Sequence, residues 1–473
     1  MVELDRKLFL GGRLKRLRRE LDLTQTRMAA DLGVSPSYLN HLERNQRPLT
    51  AGVLLRLART YDLDLRSFTG DPEAGGAAEL QEVFADPLFK GLSIPRHEVT
   101  NLVENTPGAA EGIVRLYRAL LDQRRRGALG ASASDAQESP EEPVDWVRDY
   151  IQAHRNHFAA LDHAAESLSE KLGHGHGFET AACKRLLERS GVSVRVMPVR
   201  IMKGWLRRYD HHLRRLMLSE TLEPSSRAFA AAYQLAATEL GPQIETLVEA
   251  AAPSDPPTRQ LLRVSLLNYG AGALLMPYRP FLAAAEELAY DVGLLKARFG
   301  ASFEQVCHRL TTLARPGAAG VPFFLLRIDQ AGNVSKRFAS LSFPFSRLGG
   351  ACPRWNIHAV FKTPGRLLTQ VIETPDGGRF LTLAGAVRRP AAAWGGGEEP
   401  ELAIGLGCEL KYAPRLIYAR GLNLDQPVVT EVGPTCRLCE RINCRERAAP
   451  PIARTLVVEP WAKTITPFPF SSH

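Results

Sequence analysis

A helix, a tight turn and a second helix are encoded in residues 24–42, and this pattern constrains the fold more than any other stretch of the chain. Thr24 is a good N-cap for the first helix. Gly33 suits the left-handed residue that ends a helix. Ser35 caps the second helix, and Pro36 occupies its first position, where the missing N–H is tolerated. The pattern therefore predicts a compact bundle of short helices.

The second helix of this pattern has a polar outer face. Leu39 and Leu42 fall on its buried side, so the residues between them project outward. Polar and basic side chains at such a helix start bond base edges and phosphates in the major groove. Gln25 can bond a phosphate or brace Asn40. The candidate DNA-binding residues are Gln25, Ser35, Pro36, Ser37, Tyr38, Asn40, Arg44 and Arg47.

The segment LTQTRMAADLGVSPSYLNHLERNQRPLT closely resembles the Cro/repressor-type (XRE) helix-turn-helix. The resemblance covers residues 1–70, called the headpiece below, and implies binding to a double-stranded DNA operator. The headpiece carries thirteen Lys and Arg residues against eight Asp and Glu, which suits phosphate contacts. Such operators usually contain two half-sites, so we expect a homodimer or a higher homo-oligomer.

A chain of 473 residues is too long for one hydrophobic core, so we expect about three domains with linkers. No apolar run approaches the roughly 20 residues that span a bilayer. The basic start runs directly into the headpiece without a signal peptide, so we predict a cytoplasmic protein with no membrane partner. Seven cysteines in a reducing compartment favour free thiols or metal ligands over disulfides.

The chain after the headpiece changes character several times. Apolar spacing over residues 80–126 is helical and suits a dimerisation or linker region, although these helices could instead belong to the next core. Small and polar residues predict a flexible linker over 127–143. A long helix is then expected over 144–172, a short strand over 191–199, and a helical stretch around Trp205 to His212.

From Val321 onward, apolar residues recur at every second position, which predicts strands. A hairpin is expected at Ala331-Gly332-Asn333, and another at Pro375-Asp376-Gly377-Gly378. Further strands are predicted in WNIHAVF, LLTQVIETPDGGRFLTLAGAV and LAIGLGCELKYAPRLIYARG. Residues 314–473 should form a mostly antiparallel sheet of about five strands with helices against one face.

Residues 144–313 resemble the ImmA/IrrE-type metallopeptidase domain through LSETLEPSSRAFAAAYQLAATEL. That family's active-site helix carries His-Glu-x-x-His, where two histidines bind zinc and the glutamate acts as base. The matching positions here are Tyr233, Gln234 and Ala237, and Val264 or Leu266 stands where an acidic ligand is expected. We therefore predict a degenerate peptidase domain, not an enzyme, with a groove that binds a small molecule. Nearby basic residues that could meet an anionic ligand are Lys203, Arg207, Arg227 and Arg279.

Cys436, Cys439 and Cys444, called the tail cysteines below, form C-x2-C-x4-C. Three thiolates at this spacing can surround one metal centre, and a fourth must come from elsewhere. Cys408 is the best candidate for the fourth ligand and Cys352 is the reserve. On ligand count alone, a structural zinc site and an iron–sulfur cluster rank level. Interleaved arginines could offset the thiolate charge: Arg437, Arg441, Arg445 and Arg447.

Headpiece, degenerate peptidase-like domain and Cys-rich tail together resemble the short-chain fatty acyl transcriptional regulators, which include propionate regulators of actinobacteria. The resemblance implies a [4Fe–4S] cluster on Cys408, Cys436, Cys439 and Cys444, and an acyl-CoA effector whose binding residues we leave unassigned. It also implies control of propionate, acetate, methylcitrate or glyoxylate-cycle genes. Alternatives are a phage- or toxin–antitoxin-type repressor with a zinc knot, and a zinc peptidase that cleaves a repressor.

The complete fold prediction is a multidomain protein. It begins with an all-α helix-turn-helix headpiece and continues with the helical linker or dimerisation region. An α+β IrrE-like core follows, with a mostly antiparallel sheet and the Cys-rich tail.

Overall fold

The computed structural model describes residues 11, 14, 17–18, 23–43, 46–61, 74–89, 92, 94–128, 143–175, 177–339, 343, 352–388, 401–433, 435–451 and 454–470. The candidate residue Arg44 and most of the predicted linker over 127–143 lie outside them. The chain divides into two compact units, formed mainly by residues 1–139 and 140–473. No helix in the described ranges is long and apolar enough to cross a membrane.

Among its described residues, the headpiece contains the helices α1 (Gln25–Asp31), α2 (Pro36–Glu43) and α3 (Ala51–Tyr61). Gly11, Leu14, Leu17 and Arg18 are also helical. The predicted caps are confirmed: Thr24 Oγ1 accepts a bond from the Arg27 N–H at 3.2 Å, and Ser35 Oγ accepts one from the Tyr38 N–H at 3.1 Å. Gly33 has a φ of 60° and ends the turn after α1. One small core holds the helices together: Leu14, Leu17, Met28, Ala29, Leu32, Leu39, Leu42, Leu49, Val53, Leu54 and Leu57.

The predicted helical region is also confirmed. It consists of α4 (Ala74–Phe84), α5 (Arg96–Asn105) and α6 (Pro107–Ala128). These helices have a hydrophobic cluster of their own, formed by Leu80, Val83, Val99, Ala110, Val114 and Tyr117. They therefore bury their apolar faces against one another, and their role in dimerisation stays a prediction.

Helices dominate the first half of the second unit. They are α7 (Pro143–Ala153), α8 (Ala159–Leu172), α9 (Phe178–Ser190), α10 (Val199–Met202), α11 (Pro224–Glu239), α12 (Gly241–Ala251), α13 (Pro256–Leu275), α14 (Tyr278–Glu287), α15 (Val292–Phe299) and α16 (Phe303–Leu310). The single helix predicted over 144–172 is wrong, because Arg155 and Asn156 adopt positive φ values between α7 and α8. Asn156 Nδ2 donates to Thr311 Oγ1 at 2.8 Å, so a tertiary contact holds the break.

The chain segment that connects α9 to α11 forms a three-stranded sheet. It contains β1 (Ser193–Met197), β2 (Arg207–Asp210) and β3 (Arg215–Ser219) in the order β1-β3-β2, with β1 parallel and β2 antiparallel to β3. The helical stretch predicted around Trp205 to His212 is therefore wrong. Asp210 Oδ1 accepts bonds from the backbone N–H groups of His212 and Leu213, which closes a turn between β2 and β3.

Within the described ranges, the larger sheet has six strands in the order β5-β4-β8-β7-β6-β9. They are β4 (Phe324–Asp329), β5 (Val334–Ala339), β6 (Leu368–Glu373), β7 (Arg379–Arg388), β8 (Glu401–Glu409) and β9 (Val429–Glu431). All neighbours are antiparallel except β6 and β9, and both predicted hairpins are confirmed. The strand predicted in WNIHAVF is wrong. Asn356–Lys362 is a 3-10 helix whose first residue donates its N–H to Gln370 Oε1 at 2.8 Å.

One face of this sheet packs against the helices. Leu381, Leu383, Ile404, Leu406 and Cys408 alternate along β7 and β8 and share a hydrophobic core with α8, α11 and α13. The predicted segments 144–313 and 314–473 are thus joined by one continuous core. The opposite face carries an aromatic cluster that contains Phe324, Phe343, Trp355 and Phe380.

A buried ion pair connects three of these helices. Arg309 of α16 is 2% exposed, and its Nη2 lies 2.7 Å from Asp162 Oδ1 in α8. The guanidinium also donates to the Met276 carbonyl at 2.9 Å and to Thr312 Oγ1 at 2.9 Å. Tyr269 Oη of α13 donates to the other carboxylate oxygen at 2.7 Å. Each of the two buried charges therefore has a counter-charge and further hydrogen-bond partners, as a buried charge requires.

We predict that Asp162→Asn destabilises the second unit by about 3–5 kcal/mol, because the Arg309 charge would remain buried without a counter-charge. Urea unfolding followed by tryptophan fluorescence measures this change. The matched control is Glu287→Gln, which removes an exposed, solvent-screened ion pair with Arg298 and should leave stability nearly unchanged. Equal effects of the two substitutions would contradict this interpretation.

Candidate functional site

The outer face of α2 is presented as the sequence predicts. Leu39 and Leu42 are fully buried, while Ser35, Pro36 and Ser37 are exposed. Tyr38 and Asn40 are half-buried, and the exposed Arg47 has its guanidinium carbon 6.0 Å from the centre of the Tyr38 ring. Polar groups at the start of α2 are thus available to a partner outside the headpiece.

Glu43, which the sequence did not single out, organises the base of this face. It is buried at the end of α2, and its carboxylate accepts bonds from Arg18 Nε at 2.6 Å and Gln25 Nε2 at 3.0 Å. Gln25 Nε2 also lies 3.4 Å from Asn40 Oδ1, in agreement with the predicted brace. The hydrogen bond to Glu43 raises the pKa of Arg18. A signal was available, because Glu43 follows Leu39 by one helical turn and must share its buried side.

The residues at the degenerate peptidase positions lie on α11 and α13. Gln234 is buried, Tyr233 is half-buried and Ala237 is exposed. The guanidinium of Arg207, from β2, lies 3.5 Å from the centre of the Tyr233 ring, and burial lowers the pKa of Arg207. A cation stacked on an aromatic ring therefore occupies the place where the peptidase family has a metal ligand.

The other predicted basic residues of the groove differ in their surroundings. Arg227 forms an ion pair with Glu179 at 3.4 Å, and the backbone N–H of Arg279 donates to Glu166 at 2.9 Å. Lys203 is exposed. Across the described ranges, no three His, Cys, Asp or Glu side chains are grouped closely enough to hold a metal ion. The tail cysteines are accordingly neighbours in a loop and do not form a closed cage.

The structure brings Cys352 to the tail cysteines. Burial raises the pKa of its thiol, the thiols of Cys436 and Cys439 raise it further, and the N–H groups of Gly433 and Arg354 lower it. Cys352 also precedes Trp355, whose Nε1 donates to Thr382 Oγ1 on the aromatic face of the sheet. The reserve candidate for the fourth ligand is thus the cysteine that lies beside the tail.

Cys408 lies elsewhere. It pairs with Leu381 in the sheet, is 1% exposed, and belongs to the core between the sheet and the helices. Burial raises the pKa of its thiol to about 12, and the nearest charged groups are Glu409 and Arg415. Because side chains alternate between the two faces of a strand, Cys408 points toward the helices. This position favours Cys352 over Cys408 as the fourth ligand, and the ligand set stays a prediction.

Arg447 holds the tail loop from within. It is 3% exposed, and its Nη1 donates to the carbonyls of Cys436 at 3.1 Å and Cys439 at 3.0 Å. Its Nε has no hydrogen-bond partner in the described part of the chain. A Cβ added at Gly433 would lie 2.8 Å from Cys439 Sγ, so only glycine allows the backbone this close to the sulfur. The loop therefore packs closely against the Cys439 sulfur and places the buried Arg447 guanidinium beside the carbonyls of Cys436 and Cys439.

The remaining arginines of the tail are placed differently. Arg441 forms an ion pair with Glu431 at 2.7 Å and donates to the Glu373 carbonyl at 2.9 Å, so it connects the loop to the end of β6. Arg437 and Arg445 are exposed. Of the four, Arg447 therefore has the closest contact with the cysteine backbone.

Three family models match successive parts of the chain. Residues 14–68 match a helix-turn-helix model, residues 187–311 match the IrrE N-terminal-like domain, and residues 312–468 match the short-chain fatty acyl coenzyme A regulator, C-terminal model. Full-length relatives join these parts. The transcriptional regulator RamB of Mycobacterium tuberculosis is 38% identical over 98% of both chains. The chain belongs to the short-chain fatty acyl coenzyme A regulator family.

Other members of the family are similarly close. The propionyl-CoA carboxylase regulator of Cereibacter sphaeroides is 38% identical over 98% of both chains, and PrpR of M. tuberculosis is 36% identical over 98% of this chain and 96% of its own. A solved M. tuberculosis transcriptional regulator is 37% identical, with a TM-score of 0.66 over 69% of this chain and 99% of that one. The predicted family and fold class are both confirmed.

We predict that Glu43→Ala destabilises the headpiece by about 1.5–3 kcal/mol, because Arg18 and Gln25 would lose a buried charged acceptor. Hydrogen exchange at the α1 and α2 amides of the full chain reports this loss. Arg27→Ala is the control, since it removes an exposed ion pair with Asp31 and should change exchange little. If both substitutions leave exchange unchanged, Glu43 does not hold the headpiece together.

Proposed function

We propose that this chain is a dimeric, cytoplasmic DNA-binding transcriptional regulator of short-chain fatty acid metabolism. The observation that carries the proposal is full-length similarity to named regulators, one of them a propionyl-CoA carboxylase regulator. The exposed start of α2 supports α2 as the element that reads the major groove. The genes we expect under its control belong to propionate, acetate, methylcitrate or glyoxylate-cycle metabolism.

We propose that the second unit senses an acyl-CoA and has no enzymatic activity. Tyr233, Gln234 and Ala237 offer neither the zinc ligands nor the base of the peptidase reaction. A fold that keeps its groove without catalytic residues is suited to binding. The stacked Arg207 supplies a cation for an anionic ligand, and ligand binding would alter DNA affinity only through different affinities for two conformations.

We propose that Cys352, Cys436, Cys439 and Cys444 hold a [4Fe–4S] cluster, with zinc as the alternative. The donor set is all thiol, which suits either metal. The close approach of Gly433 to the Cys439 sulfur and the buried Arg447 support a centre that carries negative charge on its thiolates. When bound, such a cluster would supply redox sensitivity, and this chain's own contribution is to orient four thiolates and offset their charge.

The test of the ligand set compares two cysteine variants of the anaerobically purified protein. Wild type should contain about four iron and four sulfide per chain, with broad visible absorption. Cys352→Ser should lose most of the iron, and the matched Cys408→Ser should retain it because that thiol lies in the hydrophobic core. Retention by the first and loss by the second would restore Cys408 to the ligand set. Stoichiometric zinc in a colourless protein would overturn the cluster.

The test of the effector is thermal unfolding of the full chain with propionyl-CoA, acetyl-CoA or free CoA. A ligand at one hundred times its Kd stabilises the folded state by about 2.7 kcal/mol, so a specific effector should raise Tm clearly. We expect the acyl-CoAs to exceed free CoA. If none of the three raises Tm, the chain is not an acyl-CoA sensor, and a regulator acting through protein partners becomes the better proposal.

A further inference from the structure

Residues 184–215 form the most basic segment of the second unit. They contain ten Lys and Arg residues against two Asp and Glu. This segment runs from the end of α9 through β1, α10 and β2 to the start of β3. It is separate from the headpiece and from the cysteine loop, and the proposed function uses only Arg207 from it.

The strand register places three arginines on the outer face of the small sheet. Arg195 of β1 and Arg208 of β2 both pair with Met217 of β3, so the three form one row across the sheet. Arg215 lies two residues before Met217 and therefore shares its face. The adjacent row, Val194, Leu216 and Tyr209, packs against the core. We call Arg195, Arg208 and Arg215, all exposed, the basic face.

More cations surround the basic face. Arg200 and Lys203 are exposed in and after α10, and Arg214 is exposed in the turn before β3. Neither these three nor the arginines of the basic face form an ion pair within 4.0 Å in the part of the chain that the structure describes. The segment thus presents six exposed cations, of which Arg208 interacts electrostatically with the Asp210 carboxylate.

The nearby acids are engaged elsewhere. Asp210 faces Arg215 in the register, but its carboxylate accepts the N–H groups of the following turn. Glu220 accepts the Val199 N–H at 2.8 Å, and Glu188 lies 3.8 Å from Lys184 on α9. These carboxylates stabilise turns and helices, so the basic face keeps an excess of positive charge.

We propose that the basic face is a second DNA contact that binds backbone phosphates without reading sequence. The inference rests on the proposed function, because α2 must first bring the chain to DNA. A second copy of the chain is a poor occupant, since a two-fold contact would set the same cations against one another. An extended polyanion suits an open sheet face. The exposed Trp205 and Leu213, at 61% and 62%, provide apolar contact with sugars.

The test measures the salt dependence of DNA binding by the full chain. The probe is a labelled mixed-sequence duplex of roughly 40 base pairs, long enough for two half-sites. The variant is Arg195→Gln, Arg208→Gln, Arg215→Gln. The slope of log K against log salt is negative, and each lost phosphate contact should reduce its magnitude by about 0.9. We therefore expect the magnitude to decrease by about 2–3 and the affinity at low salt to weaken at least tenfold.

The control variant is Lys362→Gln, Arg366→Gln, Arg420→Gln, which removes the same charge from exposed positions of the same unit. Its slope should stay near that of wild type, and both variants should melt as wild type does. Equal slopes for the two variants would overturn the inference, as would loss of propionyl-CoA binding by the first variant with unchanged DNA binding. If wild type binds neither this duplex nor any selected operator, the proposed function itself fails.

Discussion

The fully buried Arg309 guanidinium lies against the Asp162 carboxylate, and the architecture of the second unit depends on this pair. It joins α16 to α8, and through Tyr269 and the Met276 carbonyl it also reaches α13 and the segment before α14. Burial of both charges is tolerated because each finds additional hydrogen-bond partners. These helices are therefore fixed relative to one another by electrostatics as well as by apolar packing.

The larger sheet connects the helices to the cysteine loop. Its helix-facing side completes the core, and its opposite side carries the aromatic cluster and Trp355, which follows Cys352. A shift of β8 by one residue would move the Cys408 side chain to the opposite face of the sheet, which carries the aromatic cluster. In the observed register, Cys408 faces the helices and belongs to the core. Arg447 then holds the loop through the carbonyls of Cys436 and Cys439. The tail cysteines and the degenerate peptidase positions belong to the same compact unit.

The sequence predicted what local chemistry determines. The helix caps and the spacing of apolar residues predicted the helices of the headpiece correctly. The turn residues Pro375 to Gly378 predicted a hairpin that the structure contains. Tertiary contacts decided the failures: the Asn156 contact with Thr311 splits a helix, and Gln370 holds the 3-10 helix that starts at Asn356. The candidate site follows the same division. Spacing identified the tail cysteines, but only strand parity could choose between Cys352 and Cys408.

We propose that acyl-CoA binding in the second unit changes DNA binding by the headpiece. The most direct measurement is the Kd of the full chain for a selected operator duplex, by fluorescence anisotropy, with and without saturating propionyl-CoA. A coupling free energy of about 1–3 kcal/mol predicts a change in Kd of roughly 5- to 150-fold. The same Kd in both conditions, with propionyl-CoA shown to be bound, would contradict the account.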